Sequence, residues 1–220
     1  LTSDEWCRPL CYLDRLPVKT FPVAYIRADQ VQSALEQRLS NNEVMTGEIL
    51  IPASVLKSMH SEIAVGLNTT EGARMLSHVG YQSGLRAASL MNQEFGGDSS
   101  ATSQDSFWAS ISSFFLRRGW GKLSHSIPHR AIGVLSATDW AEAKPQSDTN
   151  VRITNCSFSE GYLSGILSKR SGRSVAVLEI SCQTRGDDAC EFAFGSESTI
   201  QKLDKAMLNG AVISNALEEL

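Results

Sequence analysis

The sequence predicts an α+β fold in which helices pack on a small antiparallel sheet. Two observations predict it. Apolar residues recur at helical spacing over 53–66, 69–94 and 105–118. Strand-type patterns follow in 122–139 and 174–194, with turn residues between them. The chain therefore combines a helical first part with a sheet formed mainly by its second part.

The composition is that of an ordinary globular protein. The chain has 220 residues, of which 42% are hydrophobic and 20% charged, which suffices for one sizeable core. A net charge of −4 gives no electrostatic reason to bind nucleic acid or an anionic membrane. No apolar run approaches the roughly 18 residues of a membrane span, and no signal peptide is visible, although the chain opens on Leu1. Five cysteines, an odd count, favour a reducing, cytoplasmic setting.

Three regions are expected along the chain. Residues 1–28 contain three prolines and read as an extended arm. Residues 29–197 form the main domain, which opens with a helical stripe up to Leu39. Residues 198–220 are predicted to form a terminal linker helix, because apolar side chains recur along one side from Ile200 to Ala216.

The helices of the main domain have recognisable starts. Pro52 suits the first turn of a helix over 53–66, and Thr69 or Thr70 caps the next one. The string G-Y-x-S-G occurs twice, at 80–84 and at 161–165. Glycines four residues apart lie on one face of a helix and let another backbone approach closely. Both strings are therefore predicted to be helix crossing points.

The helix over 105–118 is unusually aromatic. Phe107, Trp108, Phe114 and Phe115 lie on its apolar stripe, and Trp120 follows it. Such a stripe is typical of plain core packing. It is equally typical of the wall of an apolar ligand pocket. The sequence leaves both interpretations open.

The predicted strands are short. Pro128 and Pro145 limit the strands of 122–139 and 150–156 to short or edge positions. Trp140 lies just beyond the first of these stretches. A helix over 159–169 follows, and the strands 174–184 and 189–194 then form a hairpin.

Four potential metal ligands lie on this last part of the chain: Cys156, Glu179, Cys182 and Cys190. A tight turn at 185–188 would bring the last three to one end of two adjacent strands. Three thiolates and one carboxylate suit a tetrahedral zinc site, with Zn–S distances of about 2.3 Å. Two alternatives stay open, namely cysteines that act as small buried hydrophobes and a Cys182–Cys190 disulfide.

The motif resembles a known family. The string C-x4-G-Y-x-S-G, from Cys156, is followed by E-x2-C-x3-G-D-x2-C, which ends at Cys190. This pattern is similar to the 4-vinyl-reductase (4VR) domain family. It is most like the zinc-binding sensor domains of phenol- and xylene-responsive bacterial transcriptional activators. The resemblance is strong over roughly the last third of the chain.

The resemblance implies several properties. The fold would be the ligand-binding fold of TRAPP-subunit and NO-sensor proteins, and the four ligands would hold a structural Zn²⁺ that leaves no open position. The chain would bind a small hydrophobic or aromatic molecule and relay binding to a partner or output module. Segments before the family's core pack on a second copy, so residues 1–28 would be a contact of a homodimer. We expect five aromatic residues to bind the ligand: Trp108, Phe115, Trp120, Trp140 and Tyr162.

One departure from the family concerns the ligand. Phenol sensors hold the hydroxyl with a histidine at the position where this chain has Phe115. Trp140 corresponds to the family's pocket tryptophan at a shorter spacing. An apolar ligand is therefore favoured over a phenol.

No catalytic constellation is visible in the sequence. The chain lacks a G-x-S-x-G elbow, a phosphate loop and a dinucleotide fingerprint. The sequence therefore predicts a binding domain and not an enzyme. The alternatives are an accessory or carrier protein of tetrapyrrole (bacteriochlorophyll-type) metabolism and a non-catalytic assembly subunit of the same fold.

Overall fold

A computed structural model of the chain describes residues 48, 52–66, 69–95, 104–143, 156–211 and 215–216. The predicted arm 1–28, the helical stripe up to Leu39 and the strand at 150–155 lie outside the described residues. The proposed domain boundaries thus stay predictions.

The predicted α+β class is confirmed. The elements, in chain order, are α1 (Ala53–Gly66), α2 (Thr69–Phe95), α3 (Gln104–Arg117), β1 (Lys122–His129), β2 (Ile132–Thr138), α4 (Ser157–Ser171), β3 (Ala176–Ser181), β4 (Cys190–Gly195) and α5 (Glu197–Leu208). The four strands form one antiparallel sheet in the order β1–β2–β4–β3. None of the described helices is both long and apolar enough to cross a membrane.

Proline fixes the place of β1 in the sheet. Pro128 lies in β1, which pairs only with β2 and forms one edge. Proline cannot donate to a strand ladder, so an edge strand tolerates it. The prediction of an edge strand is confirmed. The central strands β2 and β4 are the most buried and carry Leu135 and Phe192, which are paired and fully buried.

The two G-Y-x-S-G strings cross each other. A methyl group at Gly80 would collide with the Phe158 carbonyl oxygen, and one at Gly161 with the Ser77 carbonyl oxygen. Gly84 and Gly165 face the backbone of the opposite helix in the same way. Helices α2 and α4 therefore touch backbone to backbone, and the predicted crossing is confirmed.

The core face predicted for α1 is partly wrong. Val55 and Met59 were expected to be buried, but they are 39% and 40% exposed. Leu56 is buried as expected, and His60, for which a surface position was favoured, is buried beside it. The reason is an ion pair in the interior: His60 Nε2 lies 2.8 Å from the carboxylate of Glu142. This pair turns the histidine inward and its apolar neighbours outward.

The last helix is shorter than predicted. Helix α5 ends at Leu208, whereas the apolar stripe predicted a helix to Leu220. Gly210 adopts a φ of +83° and donates to the Met207 carbonyl, and Ala211 donates to the Ala206 carbonyl. These two bonds are the Schellman arrangement that ends helices. The Asn209-Gly210 pair is the stop signal that the stripe concealed.

Candidate metal centre

The four predicted metal ligands come together from three elements. Cys156 is the residue before α4, and Glu179 lies in β3. Cys182 follows β3 directly, and Cys190 is the first residue of β4. All four are buried, and one ligand atom from each lies within 4.8 Å of the others. The hairpin predicted from the turn residues is present, since β3 pairs antiparallel with β4.

The three sulfur atoms form a nearly equilateral triangle. Cys156 Sγ lies 3.8 Å from Cys182 Sγ and 3.9 Å from Cys190 Sγ, and the third side is 4.0 Å. A tetrahedron with metal–sulfur bonds of about 2.3 Å has sulfur–sulfur edges of about 3.8 Å. A disulfide would need a separation of about 2.05 Å. The triangle thus fits shared coordination, and all three cysteines are free thiols.

The carboxylate of Glu179 has one oxygen without another role. Its Oε2 accepts hydrogen bonds from the Cys156 backbone N–H at 3.1 Å and from Arg185 Nη1 at 3.3 Å. Its Oε1 is buried and has no hydrogen-bond partner among the described residues. A buried oxygen left unsatisfied costs about 1–3 kcal/mol. A cation in the sulfur triangle would remove that cost, so the donor set fits a metal ion.

A β-bulge explains why the E-x2-C spacing works. Along a regular strand, residues three apart point to opposite faces. The pairing changes register between Glu179, opposite Phe192, and Ser181, opposite Glu191. Two residues of β3 thus span one residue of β4, which is a bulge at Ile180. The extra residue returns Glu179 and Cys182 to the same side.

Several side chains hold the ligands in place. Asp187 Oδ2 accepts from the Cys182 backbone N–H at 2.7 Å, and Thr184 Oγ1 lies 2.9 Å from Cys182 Sγ. The Gln183 backbone N–H donates to Cys190 Sγ at 3.4 Å. The strand predicted to reach Thr184 ends earlier, because a 3₁₀ turn over Gln183–Arg185 supplies these contacts. Such supporting contacts fix ligand orientation and tune metal affinity.

The crowded donors perturb one another's pKa values. Burial, with the nearby Cys182 charge, raises the pKa of Glu179 to about 9. Hydrogen bonds with Cys182 and Cys190, together with burial, raise the pKa of the Cys156 thiol. Hydrogen bonds from those other thiols lower the pKa of Cys182. Cys156 lowers the pKa of Cys190, but Cys182 and burial outweigh this effect and raise it to about 12. Protons are thus shared within the cluster, and a cation would displace them.

A second buried network holds the start of α4. Glu142 is 1% exposed and accepts from the backbone N–H groups of Phe158 at 3.0 Å and Ser159 at 2.8 Å. The Ser159 hydroxyl also donates to Glu142 and accepts from Trp140 Nε1 at 2.8 Å. The carboxylate thereby caps the helix that begins beside Cys156. Sequence reasoning missed Glu142, because its partners lie far apart in the chain.

The predicted ligand-binding residues divide into two groups. Phe115, Trp120, Trp140 and Tyr162 form one aromatic cluster, with ring centroids 5.3–6.0 Å apart. Trp108 is separate, and its ring contacts lie with Phe107, His125 and Phe194. Of the aromatic stripe on α3, Phe114 and Phe115 are fully buried core residues. Trp108 instead lines a cleft of about 310 Å³.

We expect the pH dependence of stability to change in Glu160→Gln. Burial raises the pKa of Glu160 from 4.5 to about 7, and Glu160 Oε1 accepts from the Glu179 backbone N–H at 2.7 Å. Between these pKa values the folded chain holds a proton that the unfolded chain has lost. The unfolding free energy therefore falls as pH rises through this window, and the variant should fall less steeply.

Urea unfolding at matched metal content measures this difference, with Glu191→Gln on β4 as the control. The glutamine keeps an oxygen that accepts the Glu179 backbone N–H, so the hydrogen bond survives the substitution. Equal slopes for parent and Glu160→Gln would refute the prediction.

Comparison with known proteins places this segment in a family. Residues 147–196, which contain all four cluster residues, match the model of the vinyl-4-reductase (4VR) domain. The resemblance to the 4-vinyl-reductase family is thereby confirmed, and the chain carries a domain of this family. No curated protein matches the chain by sequence.

Solved structures share the fold. The phenol-responsive sensory domain of the transcription activator PoxR, solved with phenol, is similar with a TM-score of 0.55 and 16% identity, over 77% of this chain and 91% of that one. Subunit 3 of the trafficking protein particle complex from Naegleria fowleri, solved covalently bound to palmitic acid, gives 0.53 and 14%, over 65% and 91%. A vinyl-4-reductase family protein from Methanocaldococcus jannaschii gives 0.41 and 14%, over 78% and 96%.

Proposed function

We propose that the chain is a zinc-stabilised sensory domain that binds a small hydrophobic or aromatic ligand and relays binding to a partner or output module. The observation that carries this proposal is the closed donor cluster of Cys156, Glu179, Cys182 and Cys190. The cluster joins the start of α4 to the β3–β4 hairpin. It therefore fixes one end of the domain against which a ligand can act.

The chemistry of the donors favours zinc. Thiolates select soft or borderline ions, and a compact set of three sulfur atoms and one carboxylate oxygen suits a tetrahedral ion. Four protein donors leave no position for a reacting water, so the role is structural. When bound, zinc supplies folding free energy. The chain's own groups orient the donors: Asp187 holds the Cys182 backbone, and Arg185 holds Glu179.

The ligand class follows from the fold and the aromatic residues. The PoxR domain, which shares this fold, was solved with phenol. In this chain the position of the phenol-binding histidine is Phe115, which is fully buried among Trp120, Trp140 and Tyr162. An apolar environment there disfavours a phenolic hydroxyl, because a buried polar group without a partner is costly. We therefore favour a neutral, mainly apolar ligand.

The same proposal covers the biological setting. The domain acts as a cytoplasmic homodimer in signal transduction and transcription regulation, without itself binding nucleic acid. Free buried thiols suit a reducing compartment. The output lies on another module or a partner, reached through the terminal helix or the dimer contact.

One observation supports a second candidate, a non-catalytic assembly subunit. The rings of the aromatic cluster contact one another at 5.3–6.0 Å, which is the close packing of a filled interior. The trafficking-complex subunit shares the fold. In this case the chain would hold zinc but would bind no small aromatic molecule.

Native mass spectrometry of the purified chain distinguishes the two candidates. The sensory domain should show a dimer mass with one zinc ion per chain and additional mass after incubation with a small aromatic compound. A zinc-loaded dimer that takes up no such compound would favour the assembly subunit. A chain without metal would contradict both.

A further inference from the structure

A cleft on the opposite side of α3 from the aromatic cluster is the best-formed site for a ligand. It lies between α3 and the β1–β2 hairpin and encloses about 310 Å³. This volume is at the lower end of the range of about 300–1,000 Å³ for small-molecule sites. Its lining residues are Asp105, Trp108, Ala109, Ile111, Ser112, Leu123, Ser124, His125 and Leu135. A molecule with one ring suits this size.

The floor and walls of the cleft are apolar. Ile111 and Leu135 are 1% and 0% exposed, and Leu123 is also buried. The hydroxyl of Ser112 already donates to the Leu123 carbonyl at 2.7 Å. That of Ser124 donates to the Ser136 carbonyl at 3.4 Å. The walls thus offer shape and apolar contact, and their hydroxyl donors are engaged.

One polar atom beside the cleft is unsatisfied. Trp108 is 8% exposed, and its indole Nε1 is buried without a hydrogen-bond partner among the described residues. The exposed ring of His125 stacks on the indole, with centroids 4.5 Å apart and planes at 16°. Because His125 is exposed, its rotation is the movement that gives a ligand access to the indole edge. The indole N–H can only donate, so it needs an acceptor.

The charge of the cleft restricts the acceptor further. Asp105 is the carboxylate among the lining residues, and it is exposed at the rim. A negatively charged acceptor would be repelled there, while a carbonyl oxygen would not. The apolar walls select a carbon body, and the indole selects one neutral acceptor.

We propose that this cleft binds a small aromatic ketone, ester or ether, whose oxygen accepts a hydrogen bond from Trp108 Nε1. The inference rests on the proposed function and gives its ligand a place and a chemistry. It also assigns to Trp108 a role distinct from that of Phe115, Trp120, Trp140 and Tyr162.

Two compounds of equal shape test the proposal. Acetophenone carries a carbonyl group where α-methylstyrene carries a C=CH₂ group. Ligand-observed NMR titration of the zinc-loaded full chain should show that acetophenone binds about tenfold more tightly, because only it satisfies the buried donor. The indole ¹H–¹⁵N peak of Trp108, assigned from Trp108→Phe, should move to higher proton frequency with acetophenone and stay in place with α-methylstyrene.

Matched variants separate this site from others. Trp108→Phe should abolish the preference between the two compounds, whereas Trp120→Phe, in the aromatic cluster, should retain it. Ala109→Trp, which adds bulk at an exposed helical position lining the cleft, should weaken both compounds at least tenfold. Thermal melts of the zinc-loaded variants check that each one folds.

Each contrary result is informative. Equal affinities, or a shift of the Trp120 or Trp140 peak instead, would overturn the cleft and leave the sensory function standing. Binding of neither compound at millimolar concentration would also overturn the cleft. Failure of the proposed function has a different sign, namely a chain that carries no metal in native mass spectrometry.

Discussion

Cys182→Ala should release the metal and unfold much of the domain. Cys182 Sγ lies at one corner of the sulfur triangle, 3.8 Å and 4.0 Å from the other two sulfur atoms. Structural zinc contributes on the order of 10 kcal/mol to the folding of small domains. A set of two thiols and one carboxylate retains only part of that. We expect the zinc content to fall from one ion per chain to near zero, with a large drop in melting temperature.

Elemental analysis and thermal melting measure these two effects on the same sample. Cys11→Ala is the matched control, because this cysteine lies outside the motif and the substitution is the same. A chelator should bring the parent to the melting temperature of Cys182→Ala and should change the variant little. Unchanged metal content and unchanged melting in Cys182→Ala would remove the zinc proposal.

A milder variant tests the supporting contacts. Asp187→Asn weakens the acceptor of the Cys182 backbone N–H without removing a donor atom of the cluster. Loss of such a supporting contact lowers metal affinity by about 10- to 100-fold. The variant should therefore bind zinc with a measurable but lower affinity in a competition titration. Affinity equal to that of the parent would show that Asp187 only shapes the turn.

The convergence of the metal ligands could be predicted because their signal is local. The residues Arg185-Gly186-Asp187-Asp188 specify a tight turn, and Gly186 has a φ of +102°. A tight turn brings the ends of β3 and β4 together whatever the rest of the fold does. The bulge at Ile180 was not predictable in this way, because nothing in its side chain announces an extra residue. Only the requirement that Glu179 and Cys182 share one side points to it.

Features that depend on distant partners escaped the sequence. His60 lies on an apolar stripe of α1, and its burial is understandable only from Glu142, more than eighty positions further along. Periodicity reports how hydrophobic a face is but not which partner will neutralise a polar residue on it. The division between Trp108 and Phe115 has the same origin. Both occupy one stripe of α3, and the neighbours that separate them come from other elements.

Helix crossing was predictable because it needs only small residues at fixed spacing. The glycines of the two G-Y-x-S-G strings are four apart, which places each pair on one helical face. The structure pairs Gly80 and Gly84 of α2 with Gly161 and Gly165 of α4. This crossing anchors α4, the helix that begins beside Cys156, so the metal centre and the crossing stabilise the same element.

Gly80→Ala should therefore destabilise the zinc-loaded domain by about 3 kcal/mol, since overpacking at a rigid contact costs about 1–3 kcal/mol or more. The new methyl group would meet the Phe158 carbonyl oxygen and the Tyr162 backbone nitrogen, and neither can move without displacing α4. Urea unfolding measures the loss. Gly72→Ala is the matched control in the same helix, where the methyl group would meet the end of the Ile63 side chain 2.8 Å away, and that group can rotate. Both substitutions gain about 1 kcal/mol of helix propensity, so only the crossing separates them. Equal stabilities for the two variants would mean that α2 and α4 are free to move apart.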